Sequence, residues 1–183
     1  LEARMGLIEC YLALEEYGKL IEITDKTLLT EKLTQEQERR TRYAKAKALQ
    51  SLDRDMLALD EYLKVASEVK SIEGAESKFR VAQIYFERKE MDKAEKVIAE
   101  FADKTTPHQF WMAKSFLLWA DIFRIKGDDF QAIQTLQSLI DYYEKTDDGI
   151  IEEARAKRKL IADKQSAKPS QAGAADDEEI EIE

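Results

Sequence analysis

Small and bulky apolar residues recur along this chain in one local frame, four times over, with charged positions between them. The frame reads Ile8 and Tyr11 then Leu20 and Thr24; Ala46 and Leu49 then Ala58 and Tyr62. It continues with Ala82 and Tyr85 then Ala94 and Ile98; Ala120 and Phe123 then Ala132 and Leu136. Steps of three and four residues follow the period of an α-helix. The second anchors, Leu20, Ala58, Ala94 and Ala132, are spaced by 38, 36 and 38 residues. A self-similar period of this length predicts a stacked-repeat protein, because each helix pair hides its apolar face only against its neighbours. The expected fold is all-α, a right-handed α-α superhelix of about four helix pairs closed by a C-terminal capping helix.

Punctuation residues place the elements. Glu15-Glu16 marks the first turn, between helices expected over about 1–15 and 17–29. Asp53-Arg54-Asp55 breaks the second pair, about 34–52 and 54–71, since short acids compete for backbone hydrogen bonds. The third pair covers about 74–88 and 91–104. Thr106-Pro107 reads as an N-cap followed by proline at the first helical position, where a missing N–H costs nothing. That helix ends near Gly127 and its partner spans about 129–145. A more polar helix over about 150–164 carries a single apolar stripe (Ile150, Ile151, Ala154, Ile161), as a wet-faced capping unit requires. The predicted organisation is one helical-repeat domain, 1–164, with repeats of about 1–33, 34–72, 73–106 and 107–146 and a capping helix at 147–164. A flexible acidic tail at 165–183 is expected from its Ser, Ala, Gly, Pro and acid composition.

Charge narrows the partner class. The chain carries 37% charged and 44% hydrophobic residues and a formal net charge of −9. Six acids against Lys168 give the segment from Gln165 onward −5, which leaves −4 on the body. Neither part suits a polyanionic backbone, so nucleic acid is not an expected partner. The longest apolar run, Phe116 to Ala120, is far short of the ~20 residues of a membrane span. The single cysteine, Cys10, cannot close an intrachain disulfide and is expected as a packed thiol. The opening at Leu1, already inside a helical pattern, reads as the C-terminal part of a larger chain.

The small Ala46, Ala82 and Ala120 allow Ala58, Ala94 and Ala132 to approach closely, while Trp119, Phe123, Tyr85, Tyr62 and Leu136 fill the space between. This arrangement resembles the tetratricopeptide repeat (TPR) family over about residues 1–145. The chain departs from that pattern at Ile8 and Leu20, in lacking the closing proline, and in a period above 34. The longer period and aromatic-rich pairs (Phe79 to Phe86, then Phe101) look like bacterial envelope members of the family, which would imply the periplasm or cell envelope. The resemblance implies that the first helix of each pair faces a concave groove. Helical spacing then offers Met5, Glu9 and Leu12; Tyr43, Lys47 and Gln50; Phe79, Gln83 and Phe86; Leu117, Asp121 and Arg124 as candidate contacts. For Phe79, Phe86 and Leu117, packing against neighbouring repeats is an equal expectation.

Arg39, Arg40 and Arg42, with Lys45 and Lys47, form a basic cluster. They are expected as a solvated helix surface, with docking of an acidic segment as the sharper alternative. A carboxylate clamp of the kind that grips chaperone tails is improbable, because the chain has no asparagine. His108 is the only histidine, no glycine-rich phosphate loop is present, and no cofactor or metal is expected. The residues therefore point to a non-catalytic scaffold binding a protein or peptide. A structural subunit of an envelope assembly and a peptide-sensing regulatory domain are the alternatives.

Overall fold

The computed structural model describes residues 1–30 and 32–166, with only the backbone of Gln165. Among these residues are nine helices and no strand: α1 (Glu2–Ala13), α2 (Tyr17–Thr30), α3 (Gln35–Ser51), α4 (Asp55–Val65), α5 (Ile72–Glu87), α6 (Met91–Ala102), α7 (Gln109–Ile125), α8 (Asp129–Tyr142) and α9 (Ile150–Ser166). The expected acidic tail lies, from residue 167 onward, outside the described residues.

The repeat frame is the core. Leu20, Ala58, Ala94 and Ala132 are each fully buried, as are their fourth-following partners Thr24, Tyr62, Ile98 and Leu136. A third turn of the same face, Thr27, Val65, Phe101 and Leu139, is also buried. Methyl-sized side chains where the two helices of a pair cross let the backbones approach, and the larger residues one turn on fill the wedge between them. Leu20 occupies the place of the alanines in the first pair without loss of burial.

Each pair turns by the same device. Glu15, Asp53, Lys89 and Gly127 all adopt positive φ (57°, 56°, 65° and 84°). One residue later a backbone N–H reaches back five residues: Glu16 to Tyr11, Arg54 to Leu49, Glu90 to Tyr85 and Asp128 to Phe123, each at 2.9 Å. These are left-handed helix C-caps, and three are made without glycine at a steric cost of about 1–2 kcal/mol each. The cooperative stack stabilises a conformation that these three residues disfavour.

Packing between elements sets the shape. The first helices touch in series, α1 to α3 to α5 to α7 to α9, and each second helix touches the first helix that follows it. The second helices α2, α4, α6 and α8 make no contact with one another. A double row that is close on one side and open on the other curves toward the close side, so the first helices line the concave face. The chain is thus a superhelical stack of four pairs, with α9 laid against α7 and α8.

Three local expectations differ from the structure. Helix α4 stops at Val65 rather than about 71, because Val69 turns inward beside Ala75 and Phe101 and Ser71 caps α5 through the Gly74 N–H at 3.0 Å. Helix α7 begins at Gln109, not at Pro107. The Thr106 hydroxyl is buried and donates to the Val69 carbonyl at 2.6 Å, which ties the α4–α5 connection to the α6–α7 one and starts the helix later. Cys10 is exposed rather than packed, since among the described residues no element covers that side of α1.

Candidate functional site

The concave row expected from the sequence is largely closed upon itself. Phe79 is buried and stacked on Trp111 of the next first helix, with ring centroids 5.6 Å apart. Leu117 lies in the core beneath α9 with Ala113 and Leu139. Of the two expectations held for Phe79 and Leu117, groove contact or packing, their burial fits packing: the side chains fill the gaps between neighbouring helices. Met5 and Leu12 are half-buried in the cluster around Ile8 and Leu20. Phe86 is half-buried in the cluster around Ala82 and Ile98, with the Lys89 ammonium 6.0 Å above its ring.

The polar members of the row bind one another across repeats. Glu9 of α1 pairs with Arg40 of α3. The Tyr43 hydroxyl donates to Glu76 of α5 at 2.5 Å, and Lys47 stands 3.8 Å from the same carboxylate. Arg80 grips Glu76 from one turn away at 3.2 Å and lies over the Trp111 ring at 5.6 Å. Burial first, then the hydrogen bond to Glu76, pushes the Tyr43 hydroxyl well above its ordinary value, so it stays a neutral donor. Asp121 of α7 pairs with Lys157 of α9 at 2.6 Å. Gln50 accepts from the buried Tyr62 hydroxyl at 2.9 Å. Gln83 accepts from Arg80 and donates to Glu87. Arg124 is half-buried in the last turn of α7. These groups hold the stack in register, and their hydrogen-bonding capacity is mostly spent.

The basic cluster is likewise neutralised. Arg39 pairs with Glu73 at 3.4 Å, Arg40 with Glu9, and Arg42 with Glu38 and Glu61 at 2.7 and 3.0 Å. Lys45 bridges Asp25 and Glu61 at 2.7 and 3.2 Å. Burial alone would raise the Glu61 carboxyl, but hydrogen bonds from Arg42 and Lys64 and the charge of Lys45 outweigh it and hold the group below its ordinary value. An acidic partner would have to displace acids already in place, which removes most of the electrostatic gain. Among the described residues the His108 ring has no acid–base partner: its Nε2 lies 3.2 Å from the Lys70 carbonyl.

An open, chemically distinct surface lies elsewhere. A crevice of about 370 Å³ runs between the N-terminal half of α7 and the length of α8. Met112, Ala113, Phe116 and Leu139 form its floor, and Gln109, Gln131, Gln134, Thr135 and Ser138 its rim, with Tyr142 and Tyr143 at one end. It occupies the flank of α8 turned away from α9, which meets the other flank through Arg158 and Gln137. None of these lining groups carries a charge at neutral pH. By contrast, the hollow beside Gln35 is lined by Glu38, Arg39, Arg42, Lys64 and Glu68. An aromatic row continues from the crevice along α7, Phe116 to Trp119 to Phe123, with ring centroids 5.8 and 5.5 Å apart. Rim amides and hydroxyls above an apolar floor suit an uncharged segment with one bulky side chain. Sequence reasoning placed Trp119 among the residues that fill the space between paired helices and Phe116 at the start of the longest apolar run, but missed the rim. The available signal was the run 130–140, which holds three glutamines and no charged residue in a chain that is 37% charged.

Among the described residues no group of three His, Cys, Asp or Glu side chains could hold a metal, and no helix is long and apolar enough to cross a membrane. Comparison with known proteins returns no matching family model and no matching curated protein. The fold is similar to the crystal structure of a putative kinesin light chain from Podospora anserina with nearly identical TPR-like repeats. The TM-score is 0.64 at 11% identity, over 92% of this chain and 88% of that one. That likeness shows a TPR-like helical-repeat fold. It carries no support for a bacterial envelope subtype.

Proposed function

We propose that this chain is a non-catalytic protein-interaction scaffold, which holds a partner by an uncharged segment seated in the α7–α8 crevice. The observation that carries the reading is the contrast between the two faces. The concave ionic groups are already paired within the chain, whereas the crevice is open, uncharged and apolar at its base. The TPR-like fold supports a scaffold in general, since stacked helix pairs present extended surfaces to protein partners. A bulky apolar residue would sit between Met112 and Phe116, while the glutamine and hydroxyl rim would hydrogen-bond the partner backbone. Gln83, Phe86 and Arg124 remain the concave residues best placed to add contacts.

Selection of randomised peptides on the immobilised protein tests this. Enriched peptides should be neutral with one aromatic or large aliphatic anchor. Gln134→Arg and Ser138→Arg, both on the exposed flank of α8, should abolish their binding without altering the helical circular dichroism. Peptides that bind these variants as well as the wild type would refute the crevice as the site.

A further inference from the structure

The outward face of α1 has the composition of an internal face. Repeat spacing aligns Ala3 with Thr41, Ser77 and Ser115, all of which are fully buried. It aligns Cys10 with Ala48, Ile84 and Ile122, also buried. In α1 both positions are exposed, as is Gly6, whose counterpart Ala44 is buried. Leu7 and Leu14 stand on the same side, 41% and 70% exposed.

In the later repeats the element covering this face is always the preceding second helix: α2 on α3, α4 on α5, α6 on α7. Leu20 of α2 packs with Ala44 and Ala48, Leu59 of α4 with Val81 and Ile84, and Ile98 of α6 with Ile122. Those seams also carry a polar clasp, Asp25 to Lys45 and Glu95 to Lys126, at 2.7 and 2.6 Å. Repeat spacing puts Leu7 where Lys45 stands and Leu14 where Lys126 stands, so the seat on α1 is wholly uncharged. The opposite end of the stack differs. The outer side of α9 exposes Arg155, Lys159 and Asp163, a wet face of the kind that ends a repeat array.

We propose that the outward face of α1 is the seat of a further repeat helix of the α2 kind, stacked ahead of α1 in the same superhelix. Its contacting stripe is aliphatic, with no acid opposite Leu7 and Leu14. Continuity of the interface series carries the choice of occupant: the same register is covered by the same kind of helix three times within the chain. A second copy docking head to tail fits poorly, because it would bring the charged side of α9 onto this uncharged seat. The inference is independent of the α7–α8 crevice.

The test uses Cys10, the only thiol, as the reporter. The 183-residue chain is compared with one extended at its N-terminus by a copy of residues 17–38, which keeps the spacing that sets α2 on α3. The copied Asp25 is replaced by leucine, because it would face Leu7 rather than Lys45. Alkylation of Cys10 by iodoacetamide should proceed at the rate of an open thiol in the original chain and at least tenfold slower in the extended one. The thermal midpoint should rise by several degrees, and Leu7→Glu in the extended chain should restore the fast rate. Leu7→Glu in the original chain should leave the midpoint and sedimentation unchanged, and this second measurement does not depend on the extension folding. Equal alkylation rates in the two chains would overturn the proposal. So would an original chain that sediments as a dimer with Cys10 protected and is made monomeric by Leu7→Glu, which would assign the face to a second copy.

Discussion

Gly74 lies in the first turn of α5, where alanine would ordinarily strengthen a helix by about 1 kcal/mol. The structure reverses that expectation. A Cβ at this position would stand 2.1 Å from the Glu68 carbonyl oxygen, 2.4 Å from its carbon and 3.0 Å from Ser71 Oγ. Relief requires moving a backbone carbonyl that accepts both the Ser71 N–H and the Ser71 hydroxyl, each at 2.8 Å. It also disturbs the Ser71 cap on the Gly74 N–H at 3.0 Å. Two hydrogen bonds at about 1 kcal/mol each and a cap at about 1 kcal/mol oppose the propensity gain of about 1 kcal/mol. Gly74→Ala should therefore destabilise the fold by about 2 kcal/mol. For a chain of this size that lowers the thermal midpoint by roughly 4–8 °C. Gly6 and Gly18 are the controls. They are also helical but have no heavy atom within 4 Å of a built Cβ, so alanine there should stabilise by up to about 1 kcal/mol. Thermal and urea unfolding followed by circular dichroism at 222 nm measure all three. If Gly74→Ala melts at or above the wild type, the close approach of the α4–α5 connection to α5 is wrong.

Two further outcomes are expected. The Ser77 hydroxyl is buried without a hydrogen-bond partner among the described residues, so Ser77→Ala should stabilise by about 1 kcal/mol; Ser115→Ala, whose hydroxyl donates to the Trp111 carbonyl at 2.9 Å, should not, and equal effects at both sites would refute the contrast. The Glu61 carboxyl is held below its ordinary value near 4.5 by Arg42, Lys64 and Lys45. Its stabilising contribution is therefore present above that value and is lost as pH falls through the lower folded-state value. Glu61→Gln should cost about 2 kcal/mol at pH 7, a deficit that shrinks as urea unfolding is repeated below pH ~4.5; a deficit constant from pH 7 to 3 would rule out the network as its origin.

The repeat frame was legible because it depends on local geometry. Steps of three and four residues define a helix face, and four copies of Ala-type crossings with bulky partners require that face to be shared between neighbours, so helix pairs and stacking follow without coordinates. Turn positions were also legible, since Glu15-Glu16, Asp53-Arg54-Asp55 and Gly127 interrupt the apolar period. Other features depend on which elements meet. Nothing local distinguishes Glu15, Asp53 and Lys89 as residues held in left-handed backbone; the stack imposes it. Phe79 and Leu117 carry the same spacing as a groove residue and a packing residue, and only the distance between successive first helices decided for packing. The basic run Arg39 to Lys47 looked available because its partners, Glu9, Asp25, Glu61, Glu73 and Glu76, are brought to it from four other helices. The uncharged rim of the crevice is written in residues 130–140. That its neighbour on α7 would leave room beside it was decided by second helices that stand apart on the convex side, a spacing set by the curvature of the whole array.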